Sequence, residues 1–243
     1  MTSHPPRPHR DVVSFVRRST RMNESQTKAW ERHAADFVID IPHGEMDTSV
    51  ADGTEVDWAA EFGREAPLIV EIGSGAGDSL VPMAAGRPEA NVLAFEVFEP
   101  AVASTLGRIG RAGLSNVRVA LVDGAQALAK LIDDGAVTEL WTFFADPWHK
   151  KRHHKRRLVG TDFASLVTAK LAPGGVWRLA TDWEDYALWM REHLDHHPGL
   201  VNVHDGWAPR LAERPVTKYE AKGLAAGRTV HDLTYRRADA PQD

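Results

Sequence analysis

The chain has 243 residues, 43% of them hydrophobic, and a formal net charge of −5, so it can bury one sizeable core. It contains no cysteine, which excludes thiol nucleophiles, iron–sulfur clusters and cysteine-ligated zinc. No apolar run approaches the roughly 18 residues of a membrane span, and the N-terminus lacks the apolar centre of a secretory signal. We therefore expect a cytoplasmic protein with no membrane partner.

The N-terminal residues 1–28 are rich in proline, arginine and histidine and show no sustained hydrophobic period. This composition predicts a flexible basic arm, followed by one domain over residues 29–238. A first helix is predicted at 26–37. The basic residues of the arm are Arg7, Arg10, Arg17, Arg18 and Arg21.

From residue 67 onward, strand-like and helix-like segments alternate. This alternation predicts an α/β fold with a doubly wound, mostly parallel sheet and helices on both faces. Later segments at 200–204 and 230–236 are predicted to add an antiparallel edge, and a turn at 172–175 is predicted to precede the fifth strand. The predicted strands are 68–72, 91–96, 117–122, 139–144 and 176–181, with helices after Asp78, Pro100, Ala125, Asp162 and Trp183.

Alternating glycines, Gly73, Gly75 and Gly77, follow the first of these strands and precede a helical segment. A dinucleotide fingerprint would have a further glycine where this chain has Asp78, and Glu71 stands just before the loop. Both carboxylates would repel a pyrophosphate. The loop therefore favours S-adenosylmethionine, whose sulfonium, amino and hydroxyl groups suit acids. A strand-to-helix turn that binds no ligand is the alternative.

Acidic residues follow the first four predicted strands, and one more follows the fifth. Carboxyl ends of parallel strands meet at one edge of a sheet, where ligands of such folds bind. Each acid by itself also fits a helix cap or a solvated loop. Together they form an acidic rim that suits S-adenosylmethionine and opposes NAD, FAD or ATP. The acids are Glu71, Glu96, Asp123, Asp146 and Asp182.

Asp146-Pro147-Trp148 ends the fourth strand, and a run of basic residues and histidines follows at 149–157. The loop is typical of methyltransferases that hold a flat base beside the methyl donor. The alternative is that Asp146 caps a strand and Trp148 packs in the core.

The basic run at 149–157 is interpreted as a surface that binds phosphates, or else as a solvated helix face. His149 and His153 are spaced i, i+4, but neighbouring cations would repel a metal, so no metal is expected.

Four motifs together make the chain similar to the bacterial tRNA (guanine-N7)-methyltransferase family, which has the Rossmann-like class I methyltransferase fold. They are the loop 71–77, the loop 143–150 with its basic tail, Ala180-Thr181-Asp182-Trp183, and the motif 214–220. The resemblance implies methyl transfer to N7 of a guanosine in the tRNA variable loop. The chain departs from the family pattern at Ser74, Ala76 and Ala145.

The resemblance also implies roles for individual residues. The sequence does not indicate the oligomeric state. Asp146 is implied as the catalytic residue. The cofactor residues are Glu71, Gly73, Gly75, Gly77, Glu96, Asp123 and Asp146. Substrate residues are Lys150, Asp182, Thr217, Lys218, Tyr219 and Glu220, and RNA contacts are Arg152, His153, His154, Lys155, Arg156 and Arg157. Without the resemblance, 217–220 reads as an ordinary loop.

Guanine N7 carries a lone pair and no proton, so this methylation needs no general base and no cysteine adduct. We expect Asp146 to orient the guanine and to balance developing positive charge. The base must leave its stack, and Trp148 or Trp183 is predicted to stack on it. A small-molecule methyltransferase and a non-catalytic RNA-binding module remain the other two hypotheses.

Overall fold

An eight-stranded sheet forms the centre of the computed structural model, which describes residues 13–15 and 21–238. The strands are β1 (Val38–Ile39), β2 (Leu68–Ile72), β3 (Asn91–Phe95), β4 (Val117–Ala120), β5 (Val137–Phe143), β6 (Leu171–Thr181), β7 (Leu200–Asn202) and β8 (His231–Arg237). The helices are α1 (Glu24–Phe37), α2 (Trp58–Phe62), α3 (Leu80–Ala85), α4 (Glu99–Ala112), α5 (Gly124–Leu131), α6 (Thr161–Lys170), α7 (Glu184–Asp195) and α8 (Lys218–Ala225).

The strand order is β1-β4-β3-β2-β5-β6-β8-β7. Strands β1 to β6 pair in parallel, whereas β8 is antiparallel to both β6 and β7. This confirms the predicted doubly wound sheet with its antiparallel edge. The chain moves outward from β2 through β3 to β4 and then returns to the other side of β2 with β5. That reversal places a ligand crevice at the carboxyl ends of β2 and β5.

Both faces of the sheet are covered, because the central strands are apolar at nearly every position. Val70 and Leu93 belong to the core on one face, together with residues of α5 and α7. Their chain neighbours Ile69 and Val92 belong to the core on the other face, which α3 and α4 cover. Strands buried on both faces read as continuous apolar runs, and this is why the sequence predicts them well.

Helix α1 begins earlier than the sequence predicts. Asn23 caps it, and a reciprocal pair of hydrogen bonds joins Asn23 to Gln26 in a capping box. The predicted boundary between arm and domain at residue 28 thus falls inside a helix. Of the arm's arginines, Arg21 is described, and the others lie outside the described residues.

Strand β6 also begins earlier than predicted, at Leu171. Val137 of β5 pairs with Leu171, and Glu139 then pairs with Val176, so the residues between form a bulge within one strand. The predicted turn at 172–175 is this bulge, where Gly174 has a φ of 71°. Strand β1 and helices α2 and α8 were not predicted. None of the helices in the described part of the chain has the length and apolar character needed to cross a membrane.

Candidate active site

A cavity of about 550 Å³ lies at the carboxyl ends of the central parallel strands; we call it the cleft. Residues of the predicted cofactor and substrate sets line it, whereas the predicted RNA contacts do not. Of the predicted set, Glu71, Gly73, Gly75, Glu96, Asp123, Asp146, Asp182, Thr217 and Tyr219 line the cleft. Gly77, Lys150, Lys218, Glu220 and the basic residues 152–157 are not among its lining residues.

The glycine loop needs glycine at each alternating position. Gly73, Gly75 and Gly77 have φ values of 78°, 56° and 76°, in the left-handed region that other residues rarely adopt. Gly77 is also tightly packed, since a Cβ there would lie 2.8 Å from Oγ1 of Thr105 on α4. Gly77 therefore packs against α4 behind the loop, and its contact with the cofactor stays a prediction.

Glu96 holds the glycine loop in place from the end of β3. Its carboxylate accepts hydrogen bonds from the backbone N–H groups of Gly75 at 2.8 Å, Val97 at 2.7 Å and Phe98 at 3.0 Å. The side chain is buried and lines the cleft. Glu96 thus connects the end of β3 to the glycine loop after β2 by a hydrogen bond.

Asp123 both caps a helix and lines the cleft. Its Oδ1 caps α5 by accepting from the N–H groups of Ala125 at 2.9 Å and Gln126 at 3.2 Å. The same side chain is buried in the wall of the cleft, and this burial raises the pKa of its carboxyl group.

Glu71 lies at the floor of the cleft, where its Oε2 is buried without a hydrogen-bond partner among the described residues. Burial, reinforced by the nearby charge of Glu96, raises the pKa of Glu71 to about 8. The hydroxyl of Ser74 is likewise buried without a partner there. Buried acceptors of this kind are costly unless a ligand satisfies them. A ligand with hydrogen-bond donors and a positive charge, such as S-adenosylmethionine, fits this floor.

We predict that binding of S-adenosylmethionine releases a proton from Glu71. The carboxyl group is mostly protonated at pH 7 because its pKa is about 8, and a bound cation favours the ionised form. Affinity should therefore rise with pH up to about 8 and then level off. Calorimetry in buffers of different ionisation enthalpy measures the proton count. Glu71→Gln should release fewer protons than wild type, and equal release from both would contradict the assignment.

The loop that carries Asp146 begins with an abrupt change of direction after β5. Phe144 donates its N–H to the carbonyl of Ala180 at 2.7 Å, which ends the pairing with β6. Phe144 and Trp148 have φ values of 55° and 45°, which are strained for residues with a side chain. This turn places Asp146 and Pro147 in the cleft wall.

Neither tryptophan is among the residues that line the cleft, and stacking of Trp148 or Trp183 on the base stays a prediction. Trp148 donates its Nε1–H to the carbonyl of Ser14 at 2.9 Å, and the guanidinium of Arg156 lies 4.4 Å from the ring centre. Trp183 packs against His149 at 5.8 Å. The aromatic side chains that line the cleft are Phe15, Phe95, Phe98, Phe143, Phe144 and Tyr219.

The basic run forms a 3₁₀ helix, Lys151–Arg156, beside the cleft. Lys150, Arg152 and Lys155 are exposed, as a phosphate track requires. Arg157 is different, because only 1% of its side chain is exposed.

Arg157 is an anchor of this segment. Its guanidinium donates to the carbonyl of Pro147 at 2.9 Å and to the carboxylate of Asp185, and it packs 5.1 Å from the rings of Tyr186 and Trp189. In this structure Arg157 joins the basic run to α7, and its contact with RNA stays a prediction. His154 packs beside it, with its ring 5.7 Å from Trp189.

The motif 214–220 contributes buried ion pairs as well as cleft residues. Glu220 is buried and pairs with Arg214 at 2.8 Å and with Arg210 at 3.0 Å, and its contact with substrate stays a prediction. Arg214 pairs in turn with Asp232 at 3.0 Å. Thr217 caps α8 by accepting from the Glu220 N–H at 3.1 Å. The segment is thus the start of a helix and not a loop.

Asp182 contacts the same helix from the end of β6. Its carboxylate accepts from Arg228 at 2.8 Å. A Cβ at Gly223 of α8 would lie 2.3 Å from Oδ2 of Asp182, so only glycine allows this close approach. Asp182 therefore sets the position of α8 over the cleft. Across residues 13–15 and 21–238, no three histidine or acidic side chains are grouped as metal ligands would be.

Comparison with known proteins places this site among methyltransferases. A family model described as "Putative methyltransferase" matches residues 65–233. A tRNA (guanine-N(7)-)-methyltransferase of Cutibacterium acnes is 56% identical over 96% of this chain and 86% of its own length. An enzyme of the same name from a Nocardioides species is 50% identical over 97% of this chain and 95% of its own.

Solved structures agree on the fold. The 16S rRNA methyltransferase KamB has a TM-score of 0.53 and 16% identity, covering 83% of this chain and 100% of its own. A 16S rRNA (adenine(1408)-N(1))-methyltransferase from Catenulisporales acidiphilia, solved with S-adenosylmethionine, also has a TM-score of 0.53 and 16% identity, covering 78% of this chain and 95% of its own. These likenesses show the class I methyltransferase fold.

Proposed function

We infer the function from the family to which this chain belongs, the bacterial tRNA (guanine-N7)-methyltransferases. The chain uses S-adenosylmethionine to methylate N7 of a guanosine in tRNA. We propose further that this guanosine lies in the variable loop and that the reaction takes place in the cytoplasm. The observation that supports the proposal is the cleft. Buried acids and Asp146 line it, and an exposed basic segment follows Asp146 in the chain.

The half of the cleft at β2, β3 and β4 is proposed to hold the cofactor. Glu96 offers buried carboxylate oxygens for ribose hydroxyls, and Asp123 lies beyond it, at the end of β4. Glu71 offers an oxygen without a partner among the described residues, which suits an amino or sulfonium group. When bound, S-adenosylmethionine supplies an electrophilic methyl group. The chain's own contribution is to hold that group pointing toward Asp146.

Glu96→Ala is predicted to weaken binding of S-adenosylmethionine by ~1.5–3 kcal/mol. The change removes charged acceptors for the ribose and also the carboxylate that fixes the Gly75 N–H. Titration calorimetry measures the loss, with thermal unfolding as a check that the fold persists. Unchanged affinity in a folded variant would mean that the cofactor binds elsewhere.

The half of the cleft at β5 and β6 is proposed to hold the target guanine. N7 needs no deprotonation, so the site must align the base and tolerate positive charge that develops on the purine. Asp146 supplies an anionic acceptor there. Tyr219, which is 59% exposed at the cleft, replaces the tryptophans as the proposed stacking partner for the base. The guanine must leave its stack to enter, because the major groove of A-form RNA is too deep and narrow for side chains.

The exposed part of the basic segment is proposed to bind tRNA phosphates. Replacing both Arg152 and Lys155 with Ala should weaken tRNA binding and flatten the slope of log K against log salt by about 0.7–0.9 for each lost contact. Affinity for S-adenosylmethionine should stay unchanged, since neither residue lines the cleft. A salt slope equal to that of wild type would identify the segment as a solvated surface only.

Activity is tested by incubating the protein with labelled S-adenosylmethionine and tRNA that lacks modifications, then digesting the tRNA to nucleosides. The label should appear in 7-methylguanosine from the variable loop. Label transfer to small molecules but not to tRNA would favour the small-molecule alternative. Tight tRNA binding without cofactor binding would favour a non-catalytic RNA-binding module.

A further inference from the structure

Helix α8 has one face at the mouth of the cleft, and this face carries Lys222, a cation that has no role in the proposed function. Glu220 and Gly223 are buried on the inner side of the helix, where Gly223 meets Asp182. Tyr219 and Lys222 are spaced i, i+3, so they share another side of the helix. Both are exposed and both line the cleft.

The charge balance of the cleft makes Lys222 unusual. Among the described residues that line the cleft, the only cations are Lys222 and Arg228. Arg228 pairs with Asp182, whereas Lys222 forms no ion pair with any residue of the described chain. The other charged residues of the lining are mostly acids. Lys222 is therefore the position in this cleft at which an anionic group of a ligand can be neutralised.

The position of Lys222 decides between two possible anions, the carboxylate of the cofactor and a phosphate of the RNA. Helix α8 lies over Asp182, which follows β6, on the substrate side of the crevice. Three of the acids assigned to the cofactor, Glu71, Glu96 and Asp123, lie at the carboxyl ends of β2, β3 and β4, on the other side of the strand-order reversal, whereas Asp146 follows β5. A nucleotide whose base lies beside Asp146 would bring its own backbone phosphate to the mouth, where Lys222 lies.

We propose that Lys222 binds a phosphate that flanks the target guanosine after the base has entered the cleft. This inference rests on the proposed function. It separates two kinds of phosphate contact: Arg152 and Lys155 bind the tRNA body, and Lys222 fixes the displaced nucleotide. Loss of Lys222 should therefore slow methyl transfer even when the enzyme is saturated with tRNA.

The test compares Lys222→Gln with Arg111→Gln. Each variant removes one exposed cation from the last turn of a helix, and Arg111, at the end of α4, is not among the residues that line the cleft. Single-turnover methyl transfer at saturating tRNA and cofactor should fall about 10-fold or more in Lys222→Gln. It should stay at the wild-type rate in Arg111→Gln, and calorimetry should give both variants wild-type affinity for S-adenosylmethionine.

A second arm uses tRNA with a neutral methylphosphonate in place of the phosphate on the 5′ or the 3′ side of the target guanosine. One of these two substrates should slow the wild-type enzyme and have little further effect on Lys222→Gln. Equal slowing of both proteins by both substrates would overturn the proposal, as would a Lys222→Gln rate equal to that of Arg111→Gln. Weaker cofactor binding by Lys222→Gln would assign the residue to the cofactor carboxylate instead. Failure of the wild-type protein to methylate normal tRNA would count against the proposed function itself.

Discussion

Asp146→Asn is expected to slow methyl transfer by ~10²–10³-fold, the effect of removing one electrostatic contact from a desolvated transition state. Asn keeps part of the hydrogen bonding but removes the negative charge that balances the charge on the purine. The turn that carries Asp146 includes the positive φ values of Phe144 and Trp148, and Asn has nearly the same size and shape as Asp. The variant should therefore fold normally, which circular dichroism and thermal unfolding can check.

Affinity for tRNA should hardly change in Asp146→Asn, because phosphate contacts outside the cleft dominate it. The wild-type single-turnover rate should also show no solvent deuterium isotope effect of the size of a rate-limiting proton transfer, since N7 has no proton to lose. A large isotope effect that disappears in Asp146→Asn would instead support general-base catalysis. An Asn variant as fast as wild type would remove Asp146 from the mechanism.

Arg214→Ala is expected to lower the free energy of unfolding by ~3–5 kcal/mol, the cost of leaving buried charges without their partner. Arg214 has 0% of its side chain exposed and bridges Glu220 of α8 to Asp232 of β8. Burial already raises the pKa of Asp232 although Arg214 opposes the rise. Both acids would remain buried in the variant, and α8 would lose its attachment to the sheet.

Lys28→Ala is the control for Arg214→Ala, because its ion pair with Glu24 is solvent-exposed and contributes at most ~0.5 kcal/mol. Urea unfolding of the two variants gives the comparison. The deficit of Arg214→Ala should shrink at lower pH. With Arg214 absent, burial of Asp232 keeps its folded-state pKa raised with no guanidinium to oppose it, so protonation of Asp232 restores stability as pH falls. A loss no larger than that of Lys28→Ala would show that the buried pairs do not hold α8.

The sequence predicted the parallel sheet and its acidic edge because both follow from local patterns. Buried strands such as Asn91–Phe95 are nearly continuous apolar runs, and an acid directly after such a run lies at the ligand edge. Glu96 and Asp123 could therefore be assigned to the cleft without knowledge of their partners. The bulge in β6 was missed because Pro173 and Gly174 are turn residues in most other contexts.

The burial of Arg157 and Glu220 could not be predicted, because it depends on contacts between distant parts of the chain. Arg157 belongs to a basic run typical of a surface, and its pairing with Asp185 on α7 and its packing against Trp189 account for its burial. Glu220 is likewise buried with Arg214 and Arg210 as its partners. Sequence patterns report charge, but they do not report which charge is buried with a partner.

The measurement that tests the central claim most directly uses tRNA in which the guanosine that wild-type enzyme methylates is replaced by 7-deazaguanosine. This base keeps the shape and pairing edge of guanine but has carbon where N7 would be. Binding of the substituted tRNA should match that of normal tRNA, and methyl transfer from labelled S-adenosylmethionine should fall to background. Methylation of the substituted nucleoside at a rate near that of guanosine would contradict transfer to N7.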